Sequence, residues 1–154
     1  MREVVTASPR ATAALAERLA VTLPPGVVLL LDGDLGGGKT TFVKGLARGL
    51  KATEEARSPT FTLVREYGPL VHADLYRLDA TEAAGLGWDD YLDDKRIVAV
   101  EWSSHLPPRF WGKGTLLIKL YFEIVDKKRR RIGLELDGPV APKLRRRLEG
   151  LFCE

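Results

Sequence analysis

Apolar residues near the start of the chain follow a helical spacing, then a strand-like run, then a helical spacing again. Ser8 and Pro9 form a typical helix start and leucines then recur on one face, which predicts a helix over about 9–22. The run at 27–31 consists of Val and Leu and predicts a buried strand. Helical spacing returns over 42–50, so a glycine-rich loop lies between a strand and a helix.

Beyond this second helix, short β-type segments alternate with polar connections. The predicted elements are a hairpin at 60–67 and 70–76, one or two short helices within 80–94, a buried strand at 97–100, two strands at 115–124 and 129–136, and a last helix that opens near Pro139. They predict one α/β domain over residues 1–154, with helices flanking a central sheet. The sheet is predicted to be mixed, because hairpins pair antiparallel.

Composition narrows the class of protein. Of the 154 residues 45% are hydrophobic and 29% charged, which is typical of a globular chain. No run approaches the roughly 18 apolar residues that a membrane span needs, and no leader segment is recognisable, so we expect a cytoplasmic protein without membrane association. Cys153 has no cysteine to pair with, and the isolated His72 and His105 lack the spacing of zinc ligands.

Basic residues are concentrated at the C-terminal end. The net charge is +3, and residues 127–154 hold nine Lys or Arg against four Asp or Glu. The two clusters, at 127–131 and 143–147, fit either a solvated face or a surface for nucleic acid or an acidic protein. The pattern leaves both interpretations open.

The glycine-rich loop at 33–40 matches the phosphate-binding pattern GxxxxGK[ST] at every fixed position, directly between a strand and a helix. Glycines let backbone N–H groups cradle phosphates at the positive end of the helix. The loop has four glycines, of which Gly36, Gly37 and Gly38 are predicted to bind the nucleotide. Lys39 is predicted to contact the β- and γ-phosphates, Thr40 to coordinate Mg²⁺ and Thr41 to contact the α-phosphate. The sequence therefore predicts a P-loop NTPase that binds ATP with Mg²⁺.

Three further segments contain candidate chemistry. Asp74 and Glu101 end predicted strands, where a carboxylate can hold Mg²⁺, and spacing does not say which does so. The segment 58–61, Ser-Pro-Thr-Phe, lies where nucleotide switches sense the γ-phosphate, although a simple turn has the same composition. Trp102 fits either packing or base stacking.

Taken together, these motifs resemble the TsaE family, also called YjeE, small bacterial ATPases needed for threonylcarbamoyladenosine modification of tRNA. The matching segments cover about 8–102 and occur in the family's order. They are Gly33–Gly36 with Gly38–Phe42, Ser58–Val64, Asp74–Leu78 and Glu101–Trp102.

This resemblance implies an ATPase that acts with TsaB and TsaD, in which TsaD transfers threonylcarbamoyl to adenosine in tRNAs that read codons beginning with A. The ATP cycle is expected to reset that assembly between turnovers. We expect slow hydrolysis by the chain alone, because no arginine of the sequence can be assigned to neutralise the transferring phosphate.

The resemblance also assigns roles to residues. Thr40 and Glu101 would be Mg²⁺ ligands, Asp74 would position or activate water, and Thr60 would act as a switch residue. Trp102 would lie near the nucleotide, and a basic residue near Lys128, with the start of the first helix at 8–12, would approach base and ribose. The candidate catalytic residues are therefore Lys39, Thr60, Asp74 and Glu101.

Two other functions share some of these features. A small-molecule kinase also has a phosphate loop, but it needs an acceptor pocket and a lid with arginines, and the acidic 80–94 segment has none. A nucleic-acid-binding module regulated by ATP would use the two basic clusters, and its affinity would fall steeply with salt.

Overall fold

The computed structural model describes residues 1–52, 63–107 and 109–153, and within them one seven-stranded sheet and four α-helices. The strands are β1 (Arg2–Thr6), β2 (Val28–Gly33), β3 (Val64–Tyr67), β4 (Leu70–Asp74), β5 (Ile97–Glu101), β6 (Leu117–Ile124) and β7 (Arg130–Asp137). The helices are α1 (Pro9–Ala20), α2 (Lys39–Gly49), α3 (Ala80–Ala84) and α4 (Pro142–Gly150), and two 3₁₀ turns lie at Trp88–Asp90 and Ser103–His105.

The strand order across the sheet is β1-β7-β6-β2-β5-β4-β3. The four central strands β6, β2, β5 and β4 pair in parallel, while β7, β1 and β3 pair antiparallel at the two sides. The fold is thus α/β with a mixed sheet, as predicted. Because parallel strands run the same way, the carboxyl ends of all four central strands lie at one edge, which is where α/β proteins place their ligands.

Helices and turns cover both faces of the central strands, so Val28 to Leu31 of β2 are buried without alternation. One core joins the sheet to α1, α2 and α4 through large side chains. These include Leu19, Phe42, Leu46 and Leu148. The second core lies on the opposite face and includes Ala83, Trp88 and Trp111. The apolar residues of the acidic 80–94 segment thus anchor it beneath the sheet.

The helices α1 and α2 pack closely because a glycine lies at their contact. A side chain at Gly45 would collide with the carbonyl oxygen of Ala13, and its Cβ would lie 2.7 Å from the Cβ of Ala16. Both helices depend on this approach to bury their apolar faces against the sheet.

Most predicted elements are present, with shifted ends. The helix α1 is capped by Ser8, whose Oγ accepts the N–H of Ala11 at 3.2 Å, as expected. The last helix was predicted to begin near Pro139 and instead begins at Pro142. Gly138, with φ of 95°, first turns the chain out of β7, and Pro142 then takes an early helical position where a missing N–H costs nothing.

One strand was missed and part of another cannot be compared. The short strand β1 has no clear pattern in the sequence, since its five residues begin with two exposed, charged side chains. Pairing with β7 over Arg2 to Thr6 and burial of Val4 make it a strand. The predicted hairpin is present as β3 and β4, although residues 60–62 of its first strand lie outside the described ranges.

Across the described parts of the chain, every helix is too short or too polar to span a membrane.

We predict that Gly45→Ala lowers the free energy of unfolding by about 1–3 kcal/mol, because the added methyl group forces α1 and α2 apart. Gly150→Ala is the matched control: it changes the end of α4, where an added Cβ has no neighbour within 4 Å, and it should be neutral or stabilise by up to about 1 kcal/mol. Denaturant melts of the three proteins measure both. Equal stability of Gly45→Ala and the unsubstituted protein would contradict the close packing.

Candidate functional site

The glycine-rich loop connects β2 to α2 at the carboxyl edge of the sheet. Gly33 passes so close to Phe122 of β6 that a Cβ would collide with the Phe122 carbonyl oxygen. Gly36 and Gly38 have φ of 76° and 100°, in the left-handed region that favours glycine, and Gly38 directly precedes α2. The N–H of Gly37 donates to the carbonyl of Asp34 at 3.0 Å and closes a turn within the loop. Three glycines therefore bring the chain from the strand into the helix.

Lys39 is the first residue of α2, and only 4% of its surface is exposed. Its Nζ donates to the carbonyls of Gly33 at 2.6 Å and Asp34 at 2.9 Å, and lies 4.2 Å from the centre of the Trp102 ring. Burial lowers the pKa of the ammonium, opposed by nearby carboxylates, of which Glu101 is the strongest. A buried cation at the loop is thus held by carbonyl dipoles, an aromatic face and acidic neighbours.

Glu101 of β5 contacts both the first turn of α2 and the strand β4. Both of its carboxylate oxygens accept from the Thr40 hydroxyl, at 3.1 and 3.2 Å, and its Oε2 lies 2.6 Å from Nε2 of His72. Parallel pairing explains the meeting: Glu101 is the register partner of Leu31 on β2 and of Asp74 on β4. The side chain is almost fully buried, so these hydrogen bonds replace its hydration.

Asp74 ends β4 beside Glu101 and is half-buried. Its Oδ1 accepts the N–H of Tyr76 at 3.0 Å. Burial raises the pKa of the Asp74 carboxyl, and the neighbouring Glu101 adds to the rise, while the Tyr76 N–H, His72 and Lys39 oppose it. The site therefore contains one deeply buried carboxylate and one that faces the open edge.

Aromatic residues close one side of the site. The Trp102 ring packs on Tyr76, with centroids 4.9 Å apart, and its backbone has a left-handed φ of 60°, unusual for a bulky residue. The 3₁₀ turn behind it is fastened to β2 by Asp32, which accepts from the Ser103 hydroxyl and from the Ser104 N–H at 3.1 Å. These bonds fix where the Trp102 ring stands.

The turn between β6 and β7 closes the other side. Arg130 donates to the Gly36 carbonyl from Nε at 3.2 Å and from Nη2 at 3.0 Å, and its Nη1 donates to carbonyls of the turn itself. Lys128 extends from the same turn and is exposed. The guanidinium thus ties the loop to a hairpin far away in the sequence.

These elements enclose a cavity of about 290 Å³ that is open to solvent. Its lining includes Thr12, Gly36, Gly37, Gly38, Lys39, Thr40, Thr41, Asp74, Tyr76, Glu101, Trp102, Lys128 and Arg130. An ammonium, a guanidinium and a helix start offer positive charge, while a hydroxyl and a carboxylate offer hard oxygen donors. This donor set suits a phosphorylated ligand together with a hard divalent cation.

Comparison with known proteins agrees with this geometry. The sequence model of the family described as "Threonylcarbamoyl adenosine biosynthesis protein TsaE" matches residues 6–132. This chain belongs to the TsaE family.

Curated relatives and one solved structure extend the likeness. A protein of Bacillus subtilis named tRNA threonylcarbamoyladenosine biosynthesis protein TsaE is 46% identical over 102 residues, which are 64% of this chain and 64% of that protein. A protein of the same name from Aquifex aeolicus is 41% identical over 141 residues, 86% of this chain and 94% of its own length. The crystal structure of Bacillus subtilis YdiB superposes with a TM-score of 0.67 at 33% identity, over 97% of this chain and 92% of that one.

The structure brings most of the predicted site residues into one place. The predicted residues of the glycine-rich loop and the start of α2, from Gly36 to Thr41, all line the cavity. Asp74, Glu101, Trp102 and Lys128 line it as well. The predicted switch residue Thr60, within the segment 58–61, lies outside the described residues.

Three residues of the site were missed by sequence reasoning. His72 was considered only as a zinc ligand, yet it precedes Asp74 by two positions and therefore shares its face of β4. Asp32 lies between the predicted strand and the loop and had no predicted role, and Arg130 is one of five consecutive basic residues. Only the pairing of β6 with β7 shows that Arg130 faces the glycine-rich loop.

We predict that Asp74→Asn raises the free energy of unfolding at neutral pH, and that this gain disappears in acid. The folded-state pKa of Asp74 lies above its unfolded value, so the ionised carboxylate costs stability above the folded pKa and nothing once both states are protonated. Asparagine keeps an acceptor for the Tyr76 N–H. Thermal melts across acid and neutral pH test this.

Asp126→Asn is the control of opposite sign. Hydrogen bonds from Arg129 and Lys128 lower the pKa of Asp126 to about 2, so this substitution should lose stability at neutral pH, and the loss should vanish as pH falls through that value. If both variants shifted stability in the same direction, the assignment for Asp74 would be wrong.

Proposed function

We propose that this protein binds and hydrolyses ATP with Mg²⁺ and is required for the threonylcarbamoyladenosine modification of tRNA adenosine. The observation that carries the proposal is the meeting of Lys39, Thr40 and Glu101 at a glycine loop, in a chain of the TsaE family. Relatives that share 41–46% identity are named for the biosynthesis of this modified nucleoside. Its tRNA substrates would be those that read codons beginning with A.

The loop is proposed to hold the phosphates of ATP. Lys39 offers its charge to the β- and γ-phosphates, and the loop amides with the start of α2 offer N–H donors. Thr41, which also lines the cavity, donates to the α-phosphate. The Gly37 N–H is engaged in the loop turn, so Gly36, Gly38 and the first residues of α2 supply the remaining donors.

Thr40 and Glu101 are proposed as the protein's ligands for Mg²⁺. They supply a hydroxyl and a carboxylate already in contact, and Mg²⁺ commonly takes one or two protein oxygens together with phosphates. In the described part of the chain, no three His, Cys, Asp or Glu residues are placed to hold a metal ion by themselves. When bound, Mg²⁺ neutralises charge on the phosphates.

Asp74 is proposed to position and activate the attacking water. It lies next to Glu101 but faces the open edge, and its raised pKa makes its carboxylate a better proton acceptor than an exposed aspartate. Trp102 and Lys128, on opposite sides of the cavity, are proposed to contact the base and ribose, together with the start of α1 near Thr12. Thr60 stays a predicted switch residue.

The partners proposed are TsaB and TsaD, in the cytoplasm, with tRNA contacted indirectly or within that assembly. The basic cluster at 127–131 gives little support to direct nucleic-acid binding, because Arg129 pairs with Asp126, Arg131 pairs with Glu123, and Arg130 binds the loop. A kinase is also less favoured, since the 80–94 segment is anchored beneath the sheet rather than over the cavity.

We predict that Lys39→Ala lowers the ATP hydrolysis rate by about 100-fold or more, because the charge opposite the transferring phosphate is lost. Lys44→Ala, on the same helix but away from the cavity, is the control and should leave the rate unchanged. Rates are measured with TsaB and TsaD present and absent. Comparable, fast hydrolysis with and without the partners would contradict the expected slow hydrolysis by the chain alone, and equal rates for both lysine variants would contradict the role of Lys39.

We predict that Arg130→Ala weakens ATP binding about tenfold, because two charged hydrogen bonds that hold the Gly36 carbonyl are lost. Arg129→Ala removes a neighbouring arginine whose side chain pairs with the turn residue Asp126, and should change affinity little. Calorimetric titration with ATP compares the two. Indistinguishable affinities would mean that Arg130 does not shape the loop.

A further inference from the structure

His72 is a buried polar residue for which the proposed function has no use so far. None of its surface is exposed, and it lies in the middle of β4. Its Nε2 is 2.6 Å from Oε2 of Glu101, and its Nδ1 has no hydrogen-bond partner among the described residues. A carboxylate accepts hydrogen bonds, so we assign the proton of the imidazole to Nε2.

The sheet creates this contact. The register partner of His72 on β5 is Ala99, and Glu101 follows two residues later on the same face. Ala99 offers only a methyl group on that face, which leaves room for the imidazole to reach along β5 to the carboxylate. The second neighbour of Glu101 is Thr40, from the start of α2. The carboxylate is therefore held from both sides by donors on different elements.

We propose that His72 is a positioning residue: its Nε2–H fixes the Glu101 carboxylate in the orientation that meets Thr40. This inference rests on the proposed role of Glu101 and Thr40 as Mg²⁺ ligands. Residues that orient a metal ligand from behind contribute strongly to metal affinity although they do not touch the metal. Without the His72 donor, the Glu101 carboxylate would lose a hydrogen bond that water cannot replace, because the side chain is almost fully buried.

The alternative is that His72 merely fills the core. The two roles differ in which property of the side chain matters. Phenylalanine keeps the ring volume but has no donor, whereas glutamine carries an N–H₂ group at about the place of Nε2. A positioning role requires the donor, and a packing role requires the volume. His72→Phe and His72→Gln thus separate the two.

The first experiment needs neither nucleotide nor variant. The chain has two histidines, and the acceptors they face assign them opposite tautomers. His72 would be protonated at Nε2 towards Glu101, and His105 at Nδ1 towards the Leu75 carbonyl at 2.7 Å. Long-range ¹H–¹⁵N spectra distinguish these tautomers. A proton on His72 Nε2 supports the proposal, and a His72 protonated only at Nδ1 overturns it.

The second experiment measures ATP binding as Mg²⁺ is titrated. We expect His72→Phe to raise the Mg²⁺ concentration at half-saturation about tenfold, and His72→Gln to have a midpoint close to that of the unsubstituted protein. The ATP affinity without Mg²⁺ should stay unchanged in both variants. Val71→Ala, a buried neighbour whose side chain lies in the other core, controls for lost stability and should leave the Mg²⁺ midpoint unchanged.

The outcomes separate the two proposals. If the unsubstituted protein binds ATP without any dependence on Mg²⁺, the proposed function fails. If ATP binding by the unsubstituted protein depends on Mg²⁺ but His72→Phe has the same Mg²⁺ midpoint, only the role of His72 fails. If Val71→Ala shifts the midpoint as far as His72→Phe does, the effect comes from stability and the positioning role is overturned.

Discussion

Parallel pairing of β2 with β5 and of β5 with β4 is the constraint on which the site depends. It brings the ends of three strands to one edge and sets their register, so that Glu101 has Leu31 on one side and Asp74 on the other. The loop that follows β2 leads into α2, which begins at the same edge. Thr40 and Glu101, far apart in the sequence, thus lie within hydrogen-bond distance because the sheet aligns their elements. A shift of one residue in the strand register would turn the side chains to the opposite face of the sheet.

Burial gives this edge its electrostatic character. Lys39 and Glu101 are both almost fully buried, a placement that costs several kcal/mol for an unpaired charge. Each is instead surrounded by partners: carbonyls and an aromatic ring for the lysine, a hydroxyl and an imidazole for the glutamate. A low dielectric strengthens every one of these interactions, and it would equally strengthen interactions with a charged ligand. In the proposed function, phosphate oxygens and a cation would replace some of these partners.

Two connections tie this edge to distant parts of the chain. Arg130 links the loop to the hairpin of β6 and β7, and Asp32 links β2 to the turn that carries Trp102. A protein that binds the hairpin or the turn would therefore act directly on the geometry of the loop. These links connect the glycine-rich loop to two surface elements of a chain that belongs to the TsaE family.

Local sequence predicted most of the elements and the glycine-rich loop between β2 and α2. The glycine pattern, the apolar runs of β2 and β5 and the cap at Ser8 are short-range signals, and each predicted its element because the physics involved acts within a few residues. The motifs also placed the chain in its family. Asp74 and Glu101 were recognised as strand-end carboxylates, but spacing along the chain could not give them different roles.

Only the tertiary structure decided what those residues face. Burial separates Glu101, enclosed between Thr40 and His72, from Asp74 at the open edge. The edge strand β1 exists because β7 pairs with it, and Arg130 differs from its basic neighbours because of the register of a hairpin. Register, burial and the partner of a buried side chain depend on contacts between residues distant in the chain. No local pattern contains that information, and for this reason His72 could be understood only beside Glu101.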